Sequence, residues 1–238
     1  MAYEYMRENY LALKEEIDRL AGTLGRTPVT LVCVTKSGTD DEVLALAAAG
    51  ASDMAENRPQ ELVRRAALLR NAGFSPRFHE IGNLQKNKVR AVLGVCDMIH
   101  SVGTLSLAEE IEKQAEKAGR TVRVLMEVNS GREPEKGGVL PEEAEALFGR
   151  MRALPHLSVE GLMTMAPATE NPEDARPYFR ATRELFDRIG KTCGYATATP
   201  TLSMGMSGTY RVAIEEGATL VRVGRKLFLH GDTPSRNV

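Results

Sequence analysis

The run Val29-Thr30-Leu31-Val32-Cys33-Val34-Thr35-Lys36, followed at once by Ser37-Gly38-Thr39, decides the reading of the fold. Its apolar, β-branched residues carry no polar alternation and describe a fully buried strand. A strand that ends in a lysine delivers one amine to the rim of a sheet, beside partly apolar walls. Burial there disfavours the ammonium form and leaves an amine able to attack a carbonyl. The plainer alternative is a strand-end lysine that snorkels into water. The turn itself excludes one signature. Lys36-Ser37-Gly38-Thr39 is not the GxGxxG that a doubly wound sheet carries in its first βα turn.

Working outward, the chain opens with an amphipathic helix in which Met6, Tyr10, Leu13, Ile17 and Leu20 recur at spacings of three and four. After it, strand-like and helix-like stretches alternate. Strands are predicted near residues 29–35, 52–55, 77–81, 96–100, 121–128, 158–163, 200–203 and 219–223. Helices are predicted near 40–49, 59–70, 86–92, 104–118, 141–152, 173–189 and 208–216. Such alternation implies parallel strands with helical crossovers. Eight strands in about this length point to an α/β fold, a single (β/α)8 barrel of the TIM type with an extra N-terminal helix. That leading helix would cover the face left open by a missing eighth helix. No linker or low-complexity segment interrupts the chain, so one barrel domain is expected over residues 1–238.

Composition narrows the function classes. The 31 Lys+Arg balance 32 Asp+Glu, which calls for neither nucleic acid nor an anionic membrane. Tryptophan is absent and aromatics are few, against a base-stacking surface. The scattered Cys33, Cys96 and Cys193 form no CxxC and argue for a reducing compartment without a disulfide framework or zinc site. The charged N-terminal residues do not form a signal peptide, and no apolar run is long enough to span a membrane. A cytoplasmic protein is the expectation, and a small barrel permits a monomer.

In such a barrel, active groups sit where the strands end. Here those ends supply Lys36, Glu56-Asn57, His79 to Asn83, Asn129-Ser130, Met163 to Met165, Ser203-Met204-Gly205-Met206-Ser207 and Arg222-Val223-Gly224-Arg225. The last two strand ends are a common phosphate site in barrels, built from loop amides. Ser203 and Gly205 are candidates for a phosphate, Ser207 for a phosphate or a helix cap, and Gly224 for a close backbone approach. Closure brings the last strand beside the first, so Lys36 stands near this cradle. A flat ligand with a phosphate at one end and an aldehyde at the other fits the gap, and pyridoxal 5′-phosphate has that form. Arg222, on the same strand face as Leu220, could then meet the ring nitrogen; its alternative is a surface ion pair.

These blocks carry a family resemblance. Thr35-Lys36, Glu56-Asn57-Arg58-Pro59, Phe78-His79-Glu80-Ile81-Gly82-Asn83-Leu84-Gln85-Lys86-Asn87-Lys88, Gly161 to Met165, Ser203 to Ser207 and Val221-Arg222-Val223-Gly224 stand in this order. Together they resemble the pyridoxal phosphate homeostasis proteins, relatives of the N-terminal barrel of alanine racemase. The resemblance implies a cofactor held as an internal aldimine on Lys36, with Arg222 at the pyridine nitrogen. It further implies phosphate contacts at Ser203, Gly224 and Arg225, and pocket positions at Asn57 and His79. Three positions depart from the family pattern: Ala55 replaces glycine, Glu80 replaces an apolar or aromatic residue, and Arg225 replaces a hydroxyl residue.

Three functions compete. The first is a non-catalytic carrier or buffer of pyridoxal phosphate, passing it to apo-enzymes. The second is an amino-acid racemase of the alanine racemase type. The third is a Schiff-base aldolase, which would want a carboxylate or tyrosine relay beside Lys36. Few residues follow Gly224, too few for a second domain bearing an opposing base, and no tyrosine or cysteine is obviously placed as one. The carrier is the expected function.

Overall fold

The structure, a computed structural model, describes residues 3–26 and 28–230. The ends of the expected 1–238 span lie outside the described residues, as does Thr27.

Eight parallel strands close into a barrel in sequence order. They are β1 (Thr30–Val34), β2 (Asp53–Glu56), β3 (Arg77–Glu80), β4 (Met98–Val102), β5 (Val122–Val128), β6 (Leu157–Thr164), β7 (Thr201–Ser203) and β8 (Leu220–Val223). The closing pair is β1 with β8, in register Val32 opposite Arg222 and Cys33 opposite Val223. The expected fold is therefore the observed one. β2 and β7, the two shortest predicted runs, are also short strands.

Among the described residues eight α-helices cover the outside: α1 (Glu4–Thr23), α2 (Asp40–Ala48), α3 (Pro59–Asn71), α4 (Val89–Leu93), α5 (Leu105–Lys117), α6 (Ala144–Arg152), α7 (Arg176–Thr192) and α8 (Tyr210–Glu215). The helix expected over 86–92 divides into a 3-10 turn, Lys86–Lys88, and the short α4. After β8 the described chain makes only a 3-10 turn, Arg225–Phe228. The leading helix fills the gap this leaves. α1 packs against α2, α8 and that turn, and Asn9 Nδ2 donates to the carbonyls of Leu227 (3.1 Å) and Leu229 (2.9 Å). Its buried stripe is Met6, Tyr10, Leu13, Ile17 and Ala21. Ala21 takes the place expected for Leu20, because a 3.6-residue period carries the stripe from 17 to 21. Met6 and Ile17 are fully buried and stabilise the docking by roughly 1.5–3 kcal/mol each.

Strand alternation divides the interior into two regions. Leu31, Cys33, Met54, Phe78, Ile99, Val124, Met126, Leu202, Val221 and Val223 join the helices in one outer core. Val32, Val34, Ala55 and Leu220 face the lumen, as do Met98, Leu125 and Met163. The same parity carries forward to the strand ends, so Lys36, Asn57, Glu127 and Gly224 fall on lumen-facing positions. No helix among the described residues is long and apolar enough to cross a membrane.

Candidate functional site

The β1–β8 closure builds one side of the barrel mouth. A Cβ on Gly224 would lie 2.9 Å from the Val34 carbonyl oxygen, so a side chain there would push β8 off β1. Glycine lets the two backbones meet, and Lys36 follows two residues beyond Val34. Lys36 is exposed at this rim, not flanked by burying walls as the sequence suggested. The strand ends at Val34, and the next residues turn outward into α2, whose start is fixed by a capping box between Thr39 and Glu42.

That turn is braced from behind. Arg65, buried on α3, donates through Nη2 to the Gly38 carbonyl at 2.5 Å and pairs with Asp40. The Thr35 hydroxyl donates to Glu56 Oε1 at 2.6 Å. Glu80 sits beside Glu56 and accepts the Gly82 amide at 2.9 Å. Both carboxyls are pushed above the usual range, chiefly by burial, Glu80 to about 7. Each has a second oxygen that is buried and without a partner. Gly82 must be glycine, since a Cβ there would lie 2.0 Å from the Asn57 carbonyl. The contact presses the turn after β3 against the turn after β2, where Asn57 stands exposed.

The loop after β7 forms the opposite wall of the cradle. Gly205 has φ +91°, and a Cβ on it would lie 2.5 Å from the Ala213 methyl. Only glycine satisfies both the left-handed turn and the contact. The loop is fastened to β8 by Met204 N–H to the Leu220 carbonyl (3.2 Å) and Arg222 N–H to the Gly205 carbonyl (3.1 Å). This path carries Ser207 to the mouth, where its hydroxyl accepts the Gly224 amide at 3.2 Å. Arg225 follows, exposed.

Ser203 lies elsewhere. It is fully buried, accepts from Arg222 Nη1 at 2.5 Å and sits 3.1 Å from His100 Nδ1. The sequence reading put Ser203 at the phosphate; in the structure β7 ends with that side chain in the lumen, and its hydroxyl is engaged there. The serine beside Gly224 is Ser207. Arg222 is likewise inside the lumen rather than in a surface ion pair, 3% exposed. Its Nη2 donates to the Thr164 carbonyl at 3.0 Å. Among the described residues it makes no salt bridge, and burial lowers it to about 10, partly countered by Glu127. A buried cation without a paired carboxylate calls for a ligand acceptor.

His79 lies below the mouth, buried, with Nδ1 2.9 Å from His100 Nε2 and Nε2 3.0 Å from Asp53 Oδ1. Sequence reasoning did not single out Asp53, His100 or Glu127. Their signal was the alternation itself, which puts a polar side chain at a lumen-facing position of a buried strand. Glu127 is held beneath Gly137 and Gly138, where a Cβ would come within 3.1 Å of its side chain. Burial raises its carboxyl, and Arg222 opposes the shift. The six tyrosines and three cysteines of the chain all pack within or against the outer core, not in the lumen.

The mouth thus offers an exposed amine, a fixed guanidinium and a two-glycine backbone cradle with one hydroxyl. Residues 9–233 match the family model described as alanine racemase, N-terminal domain. A pyridoxal phosphate homeostasis protein of Aquifex aeolicus is 49% identical over 173 residues, covering 73% of this chain and 74% of that protein. One of Deinococcus radiodurans is 39% identical over 219 residues, covering 92% and 97%. Among solved structures, PipY of Synechococcus elongatus PCC7942 with PLP bound superposes with a TM-score of 0.82 at 28% identity, covering 94% of this chain and 100% of that one. The chain belongs to the pyridoxal phosphate homeostasis protein family, built on the barrel of the alanine racemase N-terminal domain.

Proposed function

We propose that this protein binds pyridoxal 5′-phosphate as a Schiff base on Lys36 and serves as an intracellular carrier or buffer of the cofactor, without significant catalytic turnover. The observation that carries the reading is Arg222: a lumenal guanidinium that makes no ion pair with a carboxylate among the described residues and is anchored by Ser203 and Thr164. It stands on the strand that pairs with β1. The relative with PLP bound supports the identity of the cofactor.

The residues present suit each part of such a molecule. The Gly224 and Arg225 backbone and the Ser207 hydroxyl would hold the phosphate. Arg222 would donate to the ring nitrogen. Lys36, exposed, meets the aldehyde. Asn57 lines the rim, Gly205 shapes the loop, and His79 and Ser203 support the floor. The aldehyde supplies the chemistry: condensation with a primary amine forms an imine and releases water, and another amine can reverse it. An arginine at the ring nitrogen keeps it unprotonated and weakens the ring as an electron sink. With no tyrosine or cysteine in the lumen among the described residues, the site is suited to holding and releasing a cofactor. A monomer that hands the cofactor to apo-enzymes in the cytoplasm completes the reading.

One observation favours the racemase alternative. Glu127 is a lumenal carboxyl on β5, the strand opposite β1 in the eight-strand closure, and could serve as an opposing acid or base. The two readings separate on one experiment. Purified protein loaded with the cofactor should show visible imine absorbance that is missing in Lys36→Ala. Absence of that band in the loaded wild type would overturn the proposal, and multiple turnovers on a single amino-acid enantiomer would favour the racemase.

A further inference from the structure

The strongest polar structure in the lumen is a chain of five side chains crossing the barrel floor. Arg222 Nη1 lies 2.5 Å from Ser203 Oγ, and Ser203 Oγ lies 3.1 Å from His100 Nδ1. His100 Nε2 lies 2.9 Å from His79 Nδ1, and His79 Nε2 lies 3.0 Å from Asp53 Oδ1. Asp53 Oδ2 then accepts from Arg77 Nη2 at 2.7 Å and from Ser52 at 2.8 Å. Ser203, His100, His79 and Asp53 are all buried. Five strands contribute, so the chain ties β8 through β7, β4 and β3 to β2.

We infer that this chain is a one-way hydrogen-bond relay, fixed in polarity from Arg222 to Asp53, and that Asp53 and His100 are positioning residues for the Arg222 guanidinium. The consequence for the cofactor rests on the function proposed above; the polarity does not.

The direction follows from donor counting. A guanidinium only donates, so Ser203 must accept from it. The serine has one hydrogen, and the neighbour available to take it is His100 Nδ1. That nitrogen is therefore bare, and the proton of His100 sits on Nε2. It points at His79, whose Nδ1 must be bare in turn, and whose Nε2–H meets the Asp53 carboxylate. Every donor finds an acceptor. The opposite polarity fails at Ser203, which would face two donors while its own hydrogen had no acceptor. Such a buried orphan is costly. Protonating either ring breaks the chain in the same way, because an imidazolium has no acceptor.

The electrostatics agree. Burial pushes His100 well below the usual imidazole range, and His79 and Arg222 add to that push. Asp53 is held at about 2, because the bonds from His79, Arg77 and Ser52 outweigh its burial. The floor then holds a cation at one end, a carboxylate at the other and neutral donors between. Arg222 has Nη1 and Nη2 each tethered, and its remaining N–H donors are kept for a ligand. Asp53 and His100 act on the guanidinium through the side chains between them.

Two measurements test the inference. In ligand-free protein, nitrogen-15 spectra of the histidine rings at neutral pH should show His79 and His100 both protonated on Nε2 and bare on Nδ1. An imidazolium signature, or the Nδ1–H tautomer, on either ring would overturn the relay. In loaded protein, His100→Phe and Asp53→Leu should each raise the pyridoxal phosphate dissociation constant roughly tenfold, about 1.4 kcal/mol, and shift the visible band. Asp53→Asn, which keeps an acceptor for His79, should restore most of the affinity. An unchanged constant and band in a folded His100→Phe or Asp53→Leu variant would overturn the positioning role. If wild-type protein takes up no pyridoxal phosphate, the functional reading fails, and the ring spectra still decide the relay.

Discussion

Glu80 gives the most quantitative prediction. Its carboxyl is wholly buried behind the Lys36 turn, with the Gly82 amide on one oxygen and no partner on the other. Burial raises it most, the Gly82 amide opposes, Glu56 adds to the rise, and the net value is about 7 against an ordinary 4.5. The folded state thus prefers the protonated acid. Below 4.5 both folded and unfolded chains hold the proton, and stability is unaffected. Between 4.5 and about 7 the unfolded chain releases a proton that the folded one keeps, so stability falls as pH rises. Above about 7 both are ionised and the loss levels off. A shift of this size corresponds to roughly 3 kcal/mol at about 1.4 kcal/mol per pKa unit. Glu80→Gln retains an oxygen for the Gly82 amide and removes the charge. Urea denaturation midpoints should therefore match wild type near about pH 4 and exceed it at about pH 8, by up to about 3 kcal/mol once converted. Parallel stability curves for the two proteins across that range would refute the reasoning.

The remaining predictions concern the mouth. Ser207→Ala should raise the pyridoxal phosphate dissociation constant about tenfold or more, as a hydrogen bond to a charged group is worth roughly 1.5–3 kcal/mol; equilibrium dialysis measures it, and no change would remove Ser207 from the phosphate site. Gly205→Ala should destabilise the fold by about 1 kcal/mol or more, because the alanine would sit at φ +91° and 2.5 Å from the Ala213 methyl; an unaltered thermal midpoint would contradict the loop geometry. Loaded protein incubated with L-alanine should neither racemise it nor form a keto acid over many turnovers, as read by chiral chromatography; sustained turnover lost in Lys36→Ala would favour the enzyme.

The barrel was legible because its signal is periodic and long-range order follows from it. Alternating buried strands and amphipathic helices leave few topologies, and the missing GxGxxG after Thr35 removed the main rival. Boundaries were less legible where local geometry decides them. The stretch over 86–92 reads as one helix, yet its first turn is 3-10 before Val89. Site residues followed the same rule. Lys36, Arg222 and Gly224 could be proposed because strand ends and alternation place them at the mouth or in the lumen. Ser203 and Ser207 flank one glycine, and sequence alone favoured the first. The choice depends on where β7 stops and on the left-handed turn at Gly205, which no spacing encodes. The relay was invisible for another reason. His79 and His100 meet only through the β3–β4 register, His79 opposite Met98, and His100 reaches Ser203 only across the closed lumen.

The central claim is that Lys36 is the residue that holds the cofactor. Borohydride reduction of protein loaded with pyridoxal phosphate, followed by proteolysis and mass spectrometry, tests it most directly. The account predicts a pyridoxyl group on Lys36 and no stoichiometric label in Lys36→Ala, which should retain the wild-type circular dichroism. A pyridoxyl group found instead on another lysine, such as Lys86 or Lys226, would contradict it.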